Sequence, residues 1–256
     1  VPDNKQLIEV KNFYVSYHSK AVLKDLNFFV RPKECFTLLG ESGVGKTTLL
    51  RCLIGLKKPT KGEILVEGRN VVDMTEEELI AVRKKVAYAF QNGALFDSMT
   101  VFENLALPLV EHKKISLRAL KKRVKDELEE FELQGTENLY PSELSGGMKK
   151  RVGIARSMML KPKVILYDEP TVSLDPYNTA KLVKTMLKLK KKGTTSILVT
   201  HNMKAAMQIS DRMALLSDGK IAAIGTPRTI EKDYNVLLKN FMEGIKGGAT
   251  YEKESH

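Results

Sequence analysis

The chain has 256 residues, 43% hydrophobic and 29% charged, which excludes a disordered or fibrous chain and leaves room for one large α/β domain or a core with an inserted subdomain. Its net charge of +11, from 42 basic and 31 acidic residues, suits an anionic partner, but the lysines are spread along the chain and read as solvated helix faces. An apolar run of roughly 18 residues, an export leader, a zinc spacing and basic–aromatic interleaving are all missing, so no membrane span, export signal or nucleic-acid module is expected.

The chain begins at valine, so at least an initiator methionine is expected to be missing. Leu7–Val10, Ala21–Leu23 and Leu26–Val30 are predicted as short β segments, and Pro32–Lys33 as the turn into a buried strand over Cys35–Leu39. Tyr17 falls on the polar turn Ser16–Lys20, where it is either an exposed ring able to stack on an adenine face or a half-buried strand residue. Cys35 and Cys52 flank the next motif and read as small apolar packing in a reducing cytoplasm, without a disulfide or metal.

That motif is Gly40-Glu41-Ser42-Gly43-Val44-Gly45-Lys46-Thr47-Thr48, which meets the spacing Gly-x-x-x-x-Gly-Lys-Ser/Thr. Leu49, Leu50, Cys52, Leu53 and Ile54 predict a helix starting at the lysine. Glycines let backbone N–H groups curl around a polyphosphate, and the helix N-terminus favours its charge. Lys46 would place a point charge near the β- and γ-phosphates, and the Thr47 hydroxyl would ligate Mg²⁺. The chain is therefore expected to bind a nucleoside triphosphate.

Pro59, Thr60, Gly62 and Gly68 then punctuate a hairpin around Glu63–Val66, and Thr75 with Glu78 three residues on starts a helix within Met74–Arg83. Val86–Phe90 reads as a buried strand ending at Gln91, at the edge where open α/β sheets place ligand contacts. From Asp97 to about Lys161 the pattern is helix after helix; Leu117, Leu120, Val124, Leu128 and Phe131 step by three and four. Residues 97–161 thus read as a helical insertion in an α/β core made of 7–96 and 162–230. The insertion closes with Pro141–Arg151, leading into a helix over Val152–Leu160, and Ser145, Gly146 and Gly147 form a second anion-binding geometry.

Val164–Glu169 is an apolar strand ending in two carboxylates. Asp168 suits a Mg²⁺ shell, and Glu169 is set to orient or deprotonate an attacking water. Ser173-Leu174-Asp175-Pro176 precedes a helix over Tyr177–Lys192, and the strand Ser196–Thr200 delivers His201 to the same edge. A helix over Met203–Ile209, the strand Met213–Leu216 and a hairpin at Asp218-Gly219 complete the core, and 231–256 is expected as a C-terminal helix and polar tail. His18, His112 and His256 have no such context and are assigned no role.

Taken together these motifs resemble the ATPase subunit of an ABC transporter, over residues 7 to about 245. Gly40–Thr48 matches the family's Walker A, Gln91 its Q-loop, Leu144–Met148 its signature, Val164–Glu169 its Walker B, Ser173–Asp175 its D-loop and His201 its switch histidine. The resemblance implies a P-loop NTPase (RecA-like) core with an N-terminal antiparallel β subdomain and the helical insertion. It implies ATP and Mg²⁺ as ligands, Tyr17 stacked on the adenine, and Thr47, Gln91 and Asp168 around the metal. Glu169, His201 and Gln91 are the implied catalytic group. Members of this family pair head to tail, so Ser145, Gly146, Gly147 and Asp175 would meet the ATP held by a second copy.

One position departs from the family pattern, since Met148 stands where glutamine is usual. Leu-Ser-Gly-Gly-Met, the run Gln91–Phe96, Val101-Phe102-Glu103-Asn104 and the tail Phe241–Ile245 are similar to the branch serving Mla-type (MCE) lipid transport. That branch implies a transmembrane permease, an MCE-domain lipid-binding protein, a small cytosolic accessory subunit and no nucleic acid. It implies residence on the cytoplasmic face of the inner membrane, and in some members a C-terminal extension that grips the partner ATPase. The apolar run Ala94, Leu95, Phe96, Met99, Val101 and Phe102 either seals the seam between subdomains or, as the resemblance implies, forms a groove for a permease helix. An ABC ATPase for another substrate, or a division-type signalling ATPase, fits the same motifs.

Overall fold

Apolar side chains on both faces of consecutive strands require a sheet covered on both sides, and that requirement organises this fold. The computed structural model describes residues 6–17, 20–234 and 238–239. The chain opens with the antiparallel strands β1 (Ile8–Tyr17) and β2 (Lys20–Val30), then enters the core through β3 (Cys35–Gly40) and helix α1 (Lys46–Leu53). The hairpin β4 (Lys61–Val66) and β5 (Arg69–Asn70) returns to pair with β1, and α2 (Glu76–Arg83) leads to β6 (Val86–Ala89). Three helices follow: α3 (Val101–His112), α4 (Leu117–Glu130) and α5 (Gly146–Met158). The chain then re-enters the core as β7 (Val164–Asp168), α6 (Pro176–Lys191), β8 (Thr195–Thr200), α7 (Met203–Ile209), β9 (Arg212–Ser217), β10 (Lys220–Gly225) and α8 (Pro227–Asp233).

Two sheets result, one ordered β2-β1-β4-β5 and one ordered β10-β9-β3-β8-β7-β6. In the second, β9, β3, β8, β7 and β6 run parallel and only β10 is antiparallel. Alternation along each strand divides the core. Phe36 and Leu38 of β3, Val164 and Leu166 of β7, and Ile197 and Val199 of β8 face α1 and the antiparallel sheet. Ile165, Tyr167 and Leu198 face the opposite cluster, which is built from α3, α4, α5 and α6. Burial pushes the Cys35 thiol up to about 11 and the Cys52 thiol to about 12, as suits apolar packing residues.

Several elements differ from the sequence reading. The two segments before and after Lys24 are one strand, β2, interrupted by a bulge: Leu26 pairs with Phe13 and Leu23 with Val15. Asp25 takes a left-handed conformation there (φ 53°), braced by Asn27 Nδ2 donating to its carbonyl and carboxylate. Helix α5 begins at Gly146, six residues before the predicted Val152, because Ser145 Oγ accepts from Met148 N and caps the first turn in spite of the two glycines. Helix α8 starts at Pro227, four residues before the expected Glu231, held at its N-terminus by Thr226 Oγ1, and ends at Asp233; Leu238 and Lys239 are helical again. His18, His256, the tail Phe241–Ile245 and most of 231–256 lie outside the described residues.

The loop from Phe96 to Thr100 owes its shape to one side chain. Asn104 has no exposed surface; its Oδ1 accepts from Phe96 N at 2.9 Å. Its Nδ2 donates to Phe96 O, Met99 O and Thr100 O at 3.0–3.1 Å. Asn104→Leu keeps the volume but strands these groups, and each unsatisfied buried polar group costs about 1–3 kcal/mol. The variant should lose roughly 3 kcal/mol of stability in urea titrations; a loss within measurement error would refute this account of the loop.

Candidate active site

The parallel strands β3, β7 and β8 end side by side, and their following residues converge on one open pocket of about 390 Å³. The loop after β3 supplies its floor. Gly43 and Gly45 have φ of +82° and +102°, and a Cβ on Gly45 would come within 2.9 Å of Val22 and Leu23. Gly40 is equally confined, its Cβ position lying 3.0 Å from Leu216. Gly45 is also the N-cap of α1, so no side chain caps this helix. A helix whose first-turn N–H groups are left without a side-chain cap, under a loop of curled backbone, suits a bound phosphate.

Lys46 and Thr47 begin α1 and face the ends of β7 and β8. The Lys46 side chain is only 4% exposed, and its Nζ donates to Gly40 O (2.7 Å) and Glu41 O (2.9 Å) and lies 3.0 Å from Glu169 Oε1. Glu169 Oε2 accepts from His201 N at 3.2 Å and sits 3.0 Å from His201 Nδ1. The Glu169 backbone is left-handed (φ 44°), a strained conformation for this residue that turns its carboxylate into the pocket. Thr47 Oγ1 donates to Asp168 Oδ1 at 2.8 Å. A hydroxyl beside one carboxylate fits Mg²⁺, which takes few protein ligands and fills its shell with phosphate and water.

Of the residues singled out in the sequence, Ser42, Gly43, Gly45, Lys46, Thr47, Thr48, Gln91, Glu169 and His201 line this pocket together. Glu41 and Asp168 join through their bonds to Lys46 and Thr47, and Val44 packs with the core behind the loop. Tyr17 stands at the side, its OH 3.0 Å from Thr48 Oγ1 and its exposed ring under the Lys57 ammonium, 3.1 Å from the centroid. Those contacts, Lys57 before Thr48, hold its phenol below the usual tyrosine range. Ser145, Gly146, Gly147 and Asp175 do not line the pocket. They form a separate group: Asp175 caps α6 and holds the Asn178 amide, which lies against Gly147 so closely that a Cβ there would sit 2.5 Å away.

Four residues in and around the site escaped the sequence reading. Tyr88, three residues before Gln91, donates to Asp168 Oδ2 at 2.7 Å; burial, then that carboxylate, pushes its phenol up. The only signal was its place near the end of a strand. Lys150 looked like part of a solvated basic run, yet its ammonium donates to Pro170 O and Val172 O and fixes the turn after Glu169. Burial lowers its affinity for a proton, and Glu169 opposes this. Gly93 and Gly153 touch backbone to backbone, a Cβ on Gly153 lying 2.6 Å from Gly93 Cα, so the loop after Gln91 rides directly on α5.

A family model described as ABC transporter matches residues 23–172, more than half of the chain. The chain belongs to the ABC transporter family. This ABC subunit is an ATPase and binds ATP. It is 36% identical over 243 residues to the intermembrane phospholipid transport system ATP-binding protein MlaF of Escherichia coli K12, covering 94% of this chain and 90% of that one. It is 42% identical over 224 residues to the methionine import ATP-binding protein MetN of Francisella tularensis subsp. holarctica (strain OSU18), covering 86% of this chain and 64% of that one. Among solved structures, the ATP-binding cassette MJ0796 in a dimeric post-hydrolysis state with ADP and Pi superposes with a TM-score of 0.79 and 32% identity, covering 86% and 99% of the two chains. The superposition over 99% of that chain shows that the P-loop NTPase fold is that of an ABC ATPase cassette.

Glu169, whose carboxylate opens on the pocket while Asp168 is held by Thr47 and Tyr88, is expected to take the proton from an attacking water. Glu169→Gln keeps the size and removes the base. Its ATP turnover should fall by about 10²–10⁴-fold with ATP affinity within a fewfold of wild type. Parallel binding and steady-state assays check this; near-normal turnover would remove Glu169 from the mechanism.

Proposed function

We propose that this ATPase powers phospholipid transport between bacterial inner and outer membranes, through a permease joined to an MCE lipid-binding protein. The extent of similarity carries this reading, because the match to the phospholipid-transport relative runs over nine-tenths of both chains. The geometry of Met148 supports it. Its backbone N–H, not its side chain, makes the capping bond to Ser145, and the thioether packs partly buried against the helical cluster. A methionine therefore suits this position without entering a phosphate site. The identity to a methionine-import ATPase favours a second reading, import of a small solute by the same machinery.

In the proposed mechanism Lys46 and the loop N–H groups hold the phosphates, Tyr17 stacks on the adenine, and Thr47, Asp168 and Gln91 surround Mg²⁺. The metal, when bound, neutralises phosphate charge and fixes the γ-phosphate's orientation. Glu169 takes the proton from water while His201 and Lys150 hold the surrounding turn. Ser145, Gly146, Gly147 and Asp175, set apart from this pocket, complete the site of a second copy arranged head to tail. Residues 97–161 act as the helical insertion between core segments 7–96 and 162–230, and 231–256 as the C-terminal element. We place the protein on the cytoplasmic face of the inner membrane, with a small accessory subunit as a further partner; among the described residues no helix is long and apolar enough to span a membrane.

Purifying the tagged chain from its native membrane and identifying what accompanies it tests the reading. An MCE protein with its permease is expected, and ATP-dependent phospholipid transfer by that complex. A permease paired with a soluble methionine-binding protein would establish the second reading instead.

The permease contact is expected at the loop after Gln91. The apolar run there divides: Val101 is core and Leu95 and Phe102 pack against it, whereas Phe96 is 49% exposed beside the Arg156 guanidinium. Phe96→Asp should leave melting temperature and ATP binding unchanged and abolish recovery of the permease in a membrane pull-down. Recovery at wild-type yield would refute the docking role. Ser145→Arg should abolish turnover of the assembled complex, while Met148→Gln should keep it within a fewfold. A tenfold or greater loss in Met148→Gln, comparable to Ser145→Arg, would contradict the assigned contacts.

A further inference from the structure

The hairpin joining α3 to α4 concentrates charge that the rest of the fold does not neutralise. Seven of the thirteen residues from Lys113 to Lys125 are basic and none is acidic. Two of these cations are paired within α4, Lys122 with Asp126 and Arg123 with Glu127. The side chains of Lys113, Lys114, Arg118, Lys121 and Lys125 are exposed and make no hydrogen bond or ion pair among the described residues. The basic end of α6 is different: Lys188 donates to Glu130 O, Lys190 pairs with Asp211 and Lys192 with Glu130.

Spacing then aligns three of the free cations. Arg118, Lys121 and Lys125 recur at three, four and seven residues and form one stripe, with the paired Lys122 beside them, while Leu120, Val124 and Leu128 bury the other side of α4. Two aliphatic side chains in the hairpin are largely exposed, Leu117 at the start of α4 at 63% and Val110 near the end of α3 at 57%. No aromatic side chain lies between Lys113 and Lys125, so the patch offers no stacking platform for nucleic-acid bases. Unpaired cations with exposed aliphatic tips match an anionic lipid surface, whose phosphates meet the charge and whose headgroup layer accepts the alkyl groups.

We propose that the α3–α4 hairpin is a landing surface for an anionic bilayer, with Arg118, Lys121 and Lys125 over lipid phosphates and Leu117 inserted among the headgroups. The hairpin thus adds a lipid contact of the ATPase's own to whatever a permease provides. The inference does not depend on the cargo, and the isolated chain suffices to test it.

The test is flotation of the purified full chain with vesicles of phosphatidylcholine alone, or mixed equally with phosphatidylglycerol, at physiological ionic strength. The chain should partition onto the mixed vesicles and not onto the neutral ones. Each cation near an anionic surface contributes about fivefold in partitioning, so Arg118→Gln/Lys121→Gln/Lys125→Gln should bind about a hundredfold more weakly. Lys184→Gln/Lys188→Gln/Lys191→Gln, which removes the same charge from exposed positions on α6, should lose less than about threefold. Leu117→Ser should lose severalfold. Equal losses in the two triple variants would show bulk charge alone. An unchanged Leu117→Ser that is displaced by polyglutamate would show a site for acidic protein. Either result, or equal binding to both kinds of vesicle, overturns the proposal.

Discussion

An ammonium group with almost no access to water must be surrounded by acceptors, and Lys46 imposes that demand on everything near it. Two of its acceptors are carbonyls of its own loop, so the curl from Gly40 to Gly45 is enforced by the charge as well as by the glycines. The third is Glu169, which can reach it only because β7 ends beside β3's loop and the chain there turns left-handed. Glu169 in turn holds His201 at the end of β8. A polyphosphate offers Lys46 more negative charge than one carboxylate does, so its arrival would release Glu169 toward water.

The sheet makes this arrangement economical. Parallel strands all present their carboxyl ends at one edge, and three of them deliver phosphate-loop, carboxylates and imidazole without any long loop. Each face of the sheet then serves a different neighbour: the antiparallel sheet with α1 on one side, the helical segment on the other. The helical segment therefore packs against the back of the strands that carry the chemistry.

The phosphate loop, the two carboxylates and His201 were legible in the sequence because each is a local pattern at the end of a buried strand. So were α2, whose Thr75–Glu78 box is present as expected, and α7, whose bounds match the reading. What was not legible depends on distant partners. Tyr88 matters because β6 lies beside β7, Lys150 because α5 passes the turn after Glu169, and Asn104 because a loop folds back over it. Helix α5 was placed late because Gly146 and Gly147 argue against a helix by propensity, and the Ser145 cap overrides them. The basic residues of α4 look unremarkable when counted along the whole chain; the helix gathers them onto one stripe.

Gly93 and Gly153 meet with no side chain between them. Side chains ordinarily act as cushions, since a rotamer change absorbs a small displacement before it passes to the next element. At this crossing there is no cushion. The spacing between the loop that follows Gln91 and the helix capped by Ser145 is set by direct contact of one backbone on the other, like two plates clamped without a washer. The two surfaces proposed to meet a permease and a second copy are thereby kept in register by the absence of atoms.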